Sequence, residues 1–181
     1  MVAIITSCTT SNDGVKTTIS GRFVGTKADS VFLERVSDNF TTPQRVGAVA
    51  LADNGAFSFE FGVEESSPRF YRLTFAEKSR PVTLVVAPGD DITLESAGDI
   101  FLNYTVEGSE ESALIREFNR AYFAAADRLT GIVENISAGN RSFDDWEMDA
   151  YRAAREAIRA QVTFVGTNRD RLAAFYAMRH T

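Results

Sequence analysis

The chain of 181 residues is poor in the side chains that most often carry out chemistry. It has one cysteine, Cys8, and one histidine, His180. Thiol–disulfide exchange needs a nucleophilic thiolate and a resolving thiol, so no redox motif can be built from Cys8 alone. We interpret His180, the next-to-last residue, as a terminal residue rather than a catalytic base. No G-x-S-x-G elbow marks a serine nucleophile. We therefore expect no turnover, and no cofactor, from this chain on its own.

Runs of basic residues and long apolar runs are also lacking. Nineteen Lys and Arg residues stand against 25 Asp and Glu residues, which gives a net charge of −6. Binding to phosphate backbones requires clustered cations, so we do not expect nucleic acid as a partner. No segment approaches the roughly 20 apolar residues of a membrane-spanning helix. At 44% hydrophobic residues, the chain can still bury a sizeable core.

The start of the chain, MVAIITSC, resembles the lipobox of bacterial lipoproteins. Ile5 is aliphatic, Thr6 and Ser7 are small, and Cys8 is followed by the polar run TTSNDG. The resemblance implies that Cys8 is lipidated and anchors the protein in the cell envelope, periplasmic or surface-exposed, with residues 1–16 as a truncated signal and a tether. The basic n-region of a signal is missing, so a free cysteine in an unstructured start stays open as the alternative.

The first half of the chain has apolar residues at period two, which is typical of strands. Turn residues separate short strands expected at residues 17–24, 30–36, 45–52, 56–63, 69–76, 81–87, 91–95 and 101–107. Short strands at this spacing favour an antiparallel sandwich or barrel. We predict an antiparallel β-sandwich domain of about eight strands over residues 17–108.

The segment Asp53-Asn54-Gly55 predicts a β-hairpin, since Asn and Gly tolerate the positive φ of a type I′ turn. In the strand that follows, Phe57, Phe59, Phe61 and Val63 alternate with polar or small residues. This pattern predicts one buried face, so we interpret the phenylalanines as core rather than as a ligand platform.

From Ser109 onward the apolar period changes to 3.6, which predicts helices over residues 109–181. Ser109, Ser142 and Asn168 are the expected N-caps of three helices. The overall prediction is an α+β chain, a sandwich followed by two to three helices. The apolar residues of the second helix that we expect to face inward are Trp146, Tyr151, Ala154, Ile158, Val162 and Val165.

Two sets of residues are candidates for binding. Asp90 and Asp91, with Glu95 or Asp99, allow a calcium site, but a tight turn explains the PGDD segment better. Arg152, Arg155 and Arg159 recur at helical spacing, where a docking face competes with a solvated face of weak ion pairs. The expected last strand adds two further candidates for an interaction surface, Phe101 and Tyr104, because only one of its faces can be buried in the sandwich.

The segments PGDDITL and VEGSEES, with TISGRFVG, DNGAFSFEFGV and FYRLTF before them, resemble DUF4369. This domain precedes the thioredoxin-like domain of thiol:disulfide interchange lipoproteins of the Bacteroidetes type, and the resemblance spans residues 17–178. It implies an accessory domain that positions a downstream thioredoxin-like domain or presents its substrate or a dimer surface. The family's redox activity lies in a Cys-x-x-Cys motif that this chain does not have. The competing hypothesis is a surface lipoprotein module whose sandwich loops bind a glycan or a peptide.

Overall fold

The computed structural model describes residues 14–26, 28–37, 42–63, 66–75, 80–98, 100–139 and 142–179. Cys8 and His180, for which predictions were made above, lie outside these ranges. The described residues form eight strands and three helices: β1 (Val15–Val24), β2 (Ser30–Arg35), β3 (Gln44–Ala50), β4 (Ala56–Val63), β5 (Arg69–Phe75), β6 (Val82–Val86), β7 (Asp91–Ala97), β8 (Tyr104–Glu107), α1 (Glu110–Ser137), α2 (Phe143–Thr167) and α3 (Leu172–Met178). The predicted α+β architecture, strands first and helices after, is confirmed.

The chain divides into two compact units, Met1–Ala113 and Leu114–Thr181. The first unit contains two four-stranded sheets, with strand orders β4-β1-β7-β8 and β3-β2-β5-β6. Neighbouring described strands are antiparallel with one departure, since β1 runs parallel to β7 with Thr18 opposite Asp91. The boundary between the units falls inside the first turn of α1, a few residues later than the expected boundary at residue 108.

The predicted hairpin at residues 53–55 is wrong. β3 and β4 lie in different sheets, so the two strands do not pair with each other. The tight turn itself is present, with the Gly55 amide donating to the Ala52 carbonyl at 2.7 Å and Gly55 at φ +80°. The carbonyl of Gly55 accepts the amide of Phe23 at 3.0 Å. This bond ties the turn to the end of β1, and the chain therefore crosses to the other sheet.

The predicted core of β4 is confirmed. Phe57, Phe59, Phe61 and Val63 are each at most 5% exposed. They belong to one hydrophobic cluster with inward residues of both sheets, among them Ile19 and Leu33. Burying a phenylalanine or leucine side chain contributes roughly 1.5 to 3 kcal/mol, so this cluster is the main source of stability of the strand unit.

The outer edge of β6 is covered by two serines at the start of α1. The Ser112 hydroxyl accepts the amide hydrogen of Val85 at 2.9 Å and donates to the Val85 carbonyl at 3.1 Å. The Ser109 hydroxyl donates to the same carbonyl at 2.8 Å and accepts the amide of Ser112 at 3.3 Å. An unpaired strand edge is a site for unwanted association, and these hydroxyls take the place of a neighbouring strand. They also explain why the first turn of α1 belongs with the strands.

We expect Ser112→Ala to lower the free energy of unfolding of the strand unit by about 2 kcal/mol, because the buried Val85 amide loses its acceptor. The measurement is chemical denaturation followed by circular dichroism, with hydrogen exchange at the Val85 amide as a local readout. Ser137→Ala is the matched control, since that exposed hydroxyl only bonds the Val133 carbonyl of its own helix. The expected change for the control is below about 0.5 kcal/mol. Similar losses in the two variants would contradict the role of Ser112.

The helical unit, taken by itself, is centred on Phe118 of α1. Its ring lies 5.2 Å from that of Phe164 in α2 and 6.1 Å from that of Tyr176 in α3. The Tyr176 hydroxyl donates to the Asn119 side-chain oxygen at 3.0 Å in a fully buried setting. These contacts join the three helices. The prediction that Asn168 caps the third helix is wrong, because Asn168 is the C-cap of α2.

Candidate functional site

The helix α2 carries two apolar stripes of different character. One stripe is made of small residues and faces the other helices, with Ala153 3% and Ala157 8% exposed. Farther along the same side, Phe164 reaches the ring of Phe118. Alanines let neighbouring helix backbones approach closely, so this stripe provides the buried face of α2.

The second stripe holds large side chains that are exposed. Met148, Tyr151, Ile158 and Val162 have between 53 and 66% of their surface open to solvent. The prediction that Tyr151, Ile158 and Val162 face inward is therefore wrong. The buried side of α2 is already occupied by the alanine stripe, and a helix cannot turn both stripes toward the same neighbours. With Arg155 between Tyr151 and Ile158, these residues form what we call the outer face of α2.

Three arginines lie on or beside the outer face, the ones considered above as a docking face or a solvated face of ion pairs. Arg152 contacts Asp149 at 3.3 Å on the same helix, and the Arg155 guanidinium lies 5.6 Å from the centre of the Tyr151 ring. Arg159 makes no hydrogen bond or ion pair with the part of the chain that the structure describes. The neighbouring acid, Glu156, is paired with Arg128 of α1. The outer face therefore combines apolar contact area with positive charge.

A shallow groove of about 610 Å³ runs along this face. It is lined by the four apolar residues together with the three arginines and Glu156. Its floor and walls come from a single helix, which makes it an elongated strip rather than a closed pocket. A strip of this kind suits an extended or helical polypeptide better than a small molecule, which binds in an enclosed cavity.

The two aromatic residues predicted as an interaction surface are not exposed. Phe101 is 7% and Tyr104 is 2% exposed. Phe101 lies in the turn before β8 instead of within a strand, and the Arg80 guanidinium stands 5.4 Å from its ring centre. Tyr104 points into the sandwich core. Because both side chains are buried, neither presents a surface to a partner.

Asp90 of the PGDD segment acts in a turn, as expected, whereas Asp91 is the first residue of β7. The Asp90 carboxylate accepts the amide hydrogen of Ala87 at 2.8 Å, and Gly89 has φ +87°. The Gly89 amide donates to the Thr17 hydroxyl at 3.0 Å, which ties this turn to β1. Asp99, the further ligand considered for calcium, lies outside the described ranges. Within those ranges no group of three or more metal-binding side chains is found.

A second concave region lies at one end of the sandwich. The loops after β1 and β3 enclose a cavity of about 290 Å³, lined in part by Thr26, Asp29, Asp53 and Asn54. The Asn54 side-chain oxygen accepts the Ala56 amide at 3.1 Å, and the Thr26 hydroxyl accepts the Ala28 amide at 3.1 Å. Both polar groups already stabilise their own loops, so this cavity is a less complete site than the outer face of α2.

Comparison with known proteins gives structural neighbours but no assignment. No protein-family model matches the chain, and no curated protein matches it. A crystal structure of (S)-allantoin synthase is similar to 54% of this chain, with a TM-score of 0.39 and 13% identity. The matched part spans 45% of that enzyme. At this level of similarity, neither fold nor activity can be transferred.

The helices were also compared with the requirements of a bilayer. None of those in the described part of the chain is long and apolar enough to cross a membrane. The 28 residues of α1 would be sufficient in length, but charged side chains recur along it.

Proposed function

We propose that the chain is a non-catalytic accessory domain of an exported, lipid-anchored thioredoxin-like lipoprotein. Its task is to bind another polypeptide surface and so to position a redox domain or present its substrate. The proposal draws on the resemblance of PGDDITL and VEGSEES to DUF4369 and on the lipobox-like segment that ends at Cys8. The single structural observation that supports it is the outer face of α2.

That face has the composition of a protein-binding surface. Aromatic residues, methionine and arginine are the side chains enriched where proteins meet, and Tyr151, Met148 and Arg155 are neighbours here. Single exposed apolar residues need no explanation, but a contiguous stripe of four on one helix indicates an interaction site. The small stripe on the opposite side already holds α2 in its unit, so the outer face is available for a partner.

The first test measures activity and genetic context. We expect the purified chain to show no disulfide reductase turnover with a standard protein disulfide, and we expect the reading frame after Thr181 to encode a thioredoxin-like domain with a Cys-x-x-Cys motif. Measurable turnover by the chain alone, or a stop codon directly after Thr181, would contradict the proposal. Free thioredoxin serves as the positive control in the activity assay.

The lipid anchor has its own test. In a bacterial host that processes lipoproteins, the protein expressed with a complete export signal should incorporate radiolabelled palmitate. Cys8→Ser should abolish the label, whereas Ser7→Ala, a neighbouring change that keeps the cysteine, should leave it. Export without any label in the unsubstituted protein would count against the anchor.

A second function is favoured by the cavity at the end of the sandwich. A surface lipoprotein module that holds a glycan or peptide between its loops would use the Asp29 and Asp53 carboxylates, which make no bond to any described residue. Screening the chain against oligosaccharides tests this alternative. Binding that is lost in Asp53→Ala and kept in Arg155→Glu would favour it over docking through α2.

A further inference from the structure

We infer that the outer face of α2 binds an acidic amphipathic helix of a partner protein, in a coiled-coil-like pairing. The inference rests on the proposed function, since it names the chemistry of the partner that docks there. It is supported by the spacing of the apolar residues, by the place of the arginines relative to them, and by the poor fit of other occupants.

The spacing is that of a helix-pairing seam. Met148, Tyr151, Arg155, Ile158 and Val162 follow one another at alternating intervals of three and four residues. This is the a and d pattern of a heptad repeat, which keeps one narrow strip of a helix turned toward a second helix. The four apolar members are all more than half exposed. The strip therefore has the geometry for a partner helix, and among the described residues its apolar side chains stay largely uncovered.

The arginines make the outer face of α2 positively charged. In the same register Arg155 occupies an a position inside the seam, and Arg152 and Arg159 occupy e positions along its border. Glu156, the acid nearest to the groove, is engaged by Arg128 and cannot neutralise them fully. Residues at e positions pair with charged residues of the facing helix, so a complementary partner carries glutamate or aspartate opposite these sites.

A second copy of this chain is a poor partner for the outer face of α2, because arginines of the two copies would face each other. In a parallel pair, Arg155 would face Arg155 of the second copy across the seam. In an antiparallel pair centred on Arg155, the same contact recurs, and Arg152 would also border Arg159 of the second copy. Like charges set opposite each other at the centre of an interface are unfavourable, and in the parallel pair the acid at the g position, Glu147, would face Arg152 rather than Arg155 of the second copy.

A lipid surface also fits poorly. Helices that lie on membranes gather their cations on the polar side and bury a wide apolar side. Here the Arg155 guanidinium sits in the middle of a narrow apolar strip, and the exposed carboxylate of Asp149 lies at the border of that strip in contact with Arg152. Insertion would bury the charge of Arg155, whereas a facing carboxylate would satisfy it.

The experiment uses two synthetic helical peptides of about three heptads with leucine at a and d. One peptide has glutamate at its e and g positions and glutamate at a central a position, and the other has lysine at the same sites. Binding of each peptide to the purified chain is measured by calorimetry at low and at high salt. We expect the acidic peptide to bind at least about 10-fold more tightly than the basic one, with the difference shrinking as salt screens the charges.

Four variants locate the site. Arg155→Glu should reverse the preference between the peptides, and Val162→Asp should abolish binding of both because it places a charge in the seam. Arg169→Glu is the matched control, since it makes the same charge change at an exposed site outside α2. Circular dichroism checks that each variant keeps its helices, and Ile158→Ala provides a milder seam change should Val162→Asp unfold the unit.

Each outcome has a defined meaning. Tighter binding of the acidic peptide, reversed by Arg155→Glu and unchanged by Arg169→Glu, supports the inference. Equal binding of both peptides, lost in Val162→Asp, overturns the acidic chemistry but leaves α2 as the docking surface.

Self-association of the chain that Val162→Asp removes assigns the face to a homodimer and overturns the inference. The inference also fails if neither peptide binds, or if only anionic phosphatidylglycerol vesicles bind, and the docking role proposed above then fails with it.

Discussion

Gly108→Ala should destabilise the strand unit by about 4 kcal/mol or more, because the added methyl group meets the backbone of β7. Gly108 stands between β8 and the first helical turn, with φ +84°. A Cβ atom there would lie 2.0 Å from the carbonyl oxygen of Asp91 and 2.9 Å from its carbonyl carbon. Both atoms belong to the backbone of β7, so a side chain cannot simply rotate away. Either β7 or the start of α1 must shift, which would also weaken the Ser112 contact with Val85.

Two effects contribute to the loss in Gly108→Ala, the clash of the new Cβ atom with Asp91 and the strain of a side chain at positive φ. Gly98→Ala measures the strain without the clash. Gly98 has nearly the same backbone conformation, φ +86°, but a Cβ atom at this position would have nothing within 4 Å. Its expected cost is the backbone strain alone, about 1 to 2 kcal/mol. Both variants are measured by urea denaturation under circular dichroism. If the two losses were equal, the contact with Asp91 would have no energetic role.

Phe59→Asp should prevent the strand unit from folding. Phe59 is 5% exposed, lies opposite Ile19 in the β1–β4 pair, and has the ring of Phe57 6.1 Å away. Removing a buried phenylalanine side chain costs about 3 to 5 kcal/mol, and an unpaired carboxylate in the same place adds a further desolvation cost. The sum approaches or exceeds the total stability of an ordinary domain. The expected observation is loss of the dispersed amide signals of the strands in a two-dimensional NMR spectrum.

The adjacent position supplies the control for this prediction. Ser58 lies next to Phe59 on the other face of β4 and is only partly buried. Ser58→Asp introduces the same carboxylate one residue away, and we expect a change of no more than about 1 kcal/mol. A folded Phe59→Asp variant would mean that the phenylalanine row is not the core. Equal damage from both substitutions would mean that the loss does not depend on which face of β4 receives the new carboxylate.

The sequence was sufficient for features that depend on local chemistry. The alternation of phenylalanine with small or polar residues located β4 at its observed bounds, Ala56–Val63. The change of period at Ser109 located the start of α1, and the acidic residues Glu110 and Glu111 occupy its first turn. These signals reside in neighbouring residues, so no knowledge of the tertiary structure was required.

Strand partners could not be obtained in the same way. The turn at residues 53–55 has the composition of a hairpin, and its local bonds are those of a tight turn. Whether the next strand pairs back or crosses to the other sheet is decided by what the turn contacts. Here the Gly55 carbonyl accepts a hydrogen bond from the Phe23 amide, and these two residues are far apart in sequence. No local pattern contains that information.

The orientation of α2 was predicted incorrectly for a related reason. The helix has an alanine stripe and a stripe of larger residues, and the face expected inside contained Tyr151, Ile158 and Val162. The structure buries Ala153 and Ala157 instead. The heptad spacing from Met148 to Val162 was present in the sequence and could have identified a pairing seam. It could not show whether the partner of that seam lay within the chain.

The parallel pairing of β1 with β7 sets the order in which the strand unit can fold. Thr18 must meet Asp91, so a loop of about 70 residues has to close before the centre of that sheet exists. Contacts between such distant residues slow folding, whereas β2–β3, β5–β6 and β7–β8 can each form between neighbours in sequence. On the ribosome, β1 has no partner on one side until β7 has been synthesised. We expect the pairing of β1 with β7 to form last in that sheet, after β1–β4 and β7–β8, and the early chain to be the stage most exposed to misfolding.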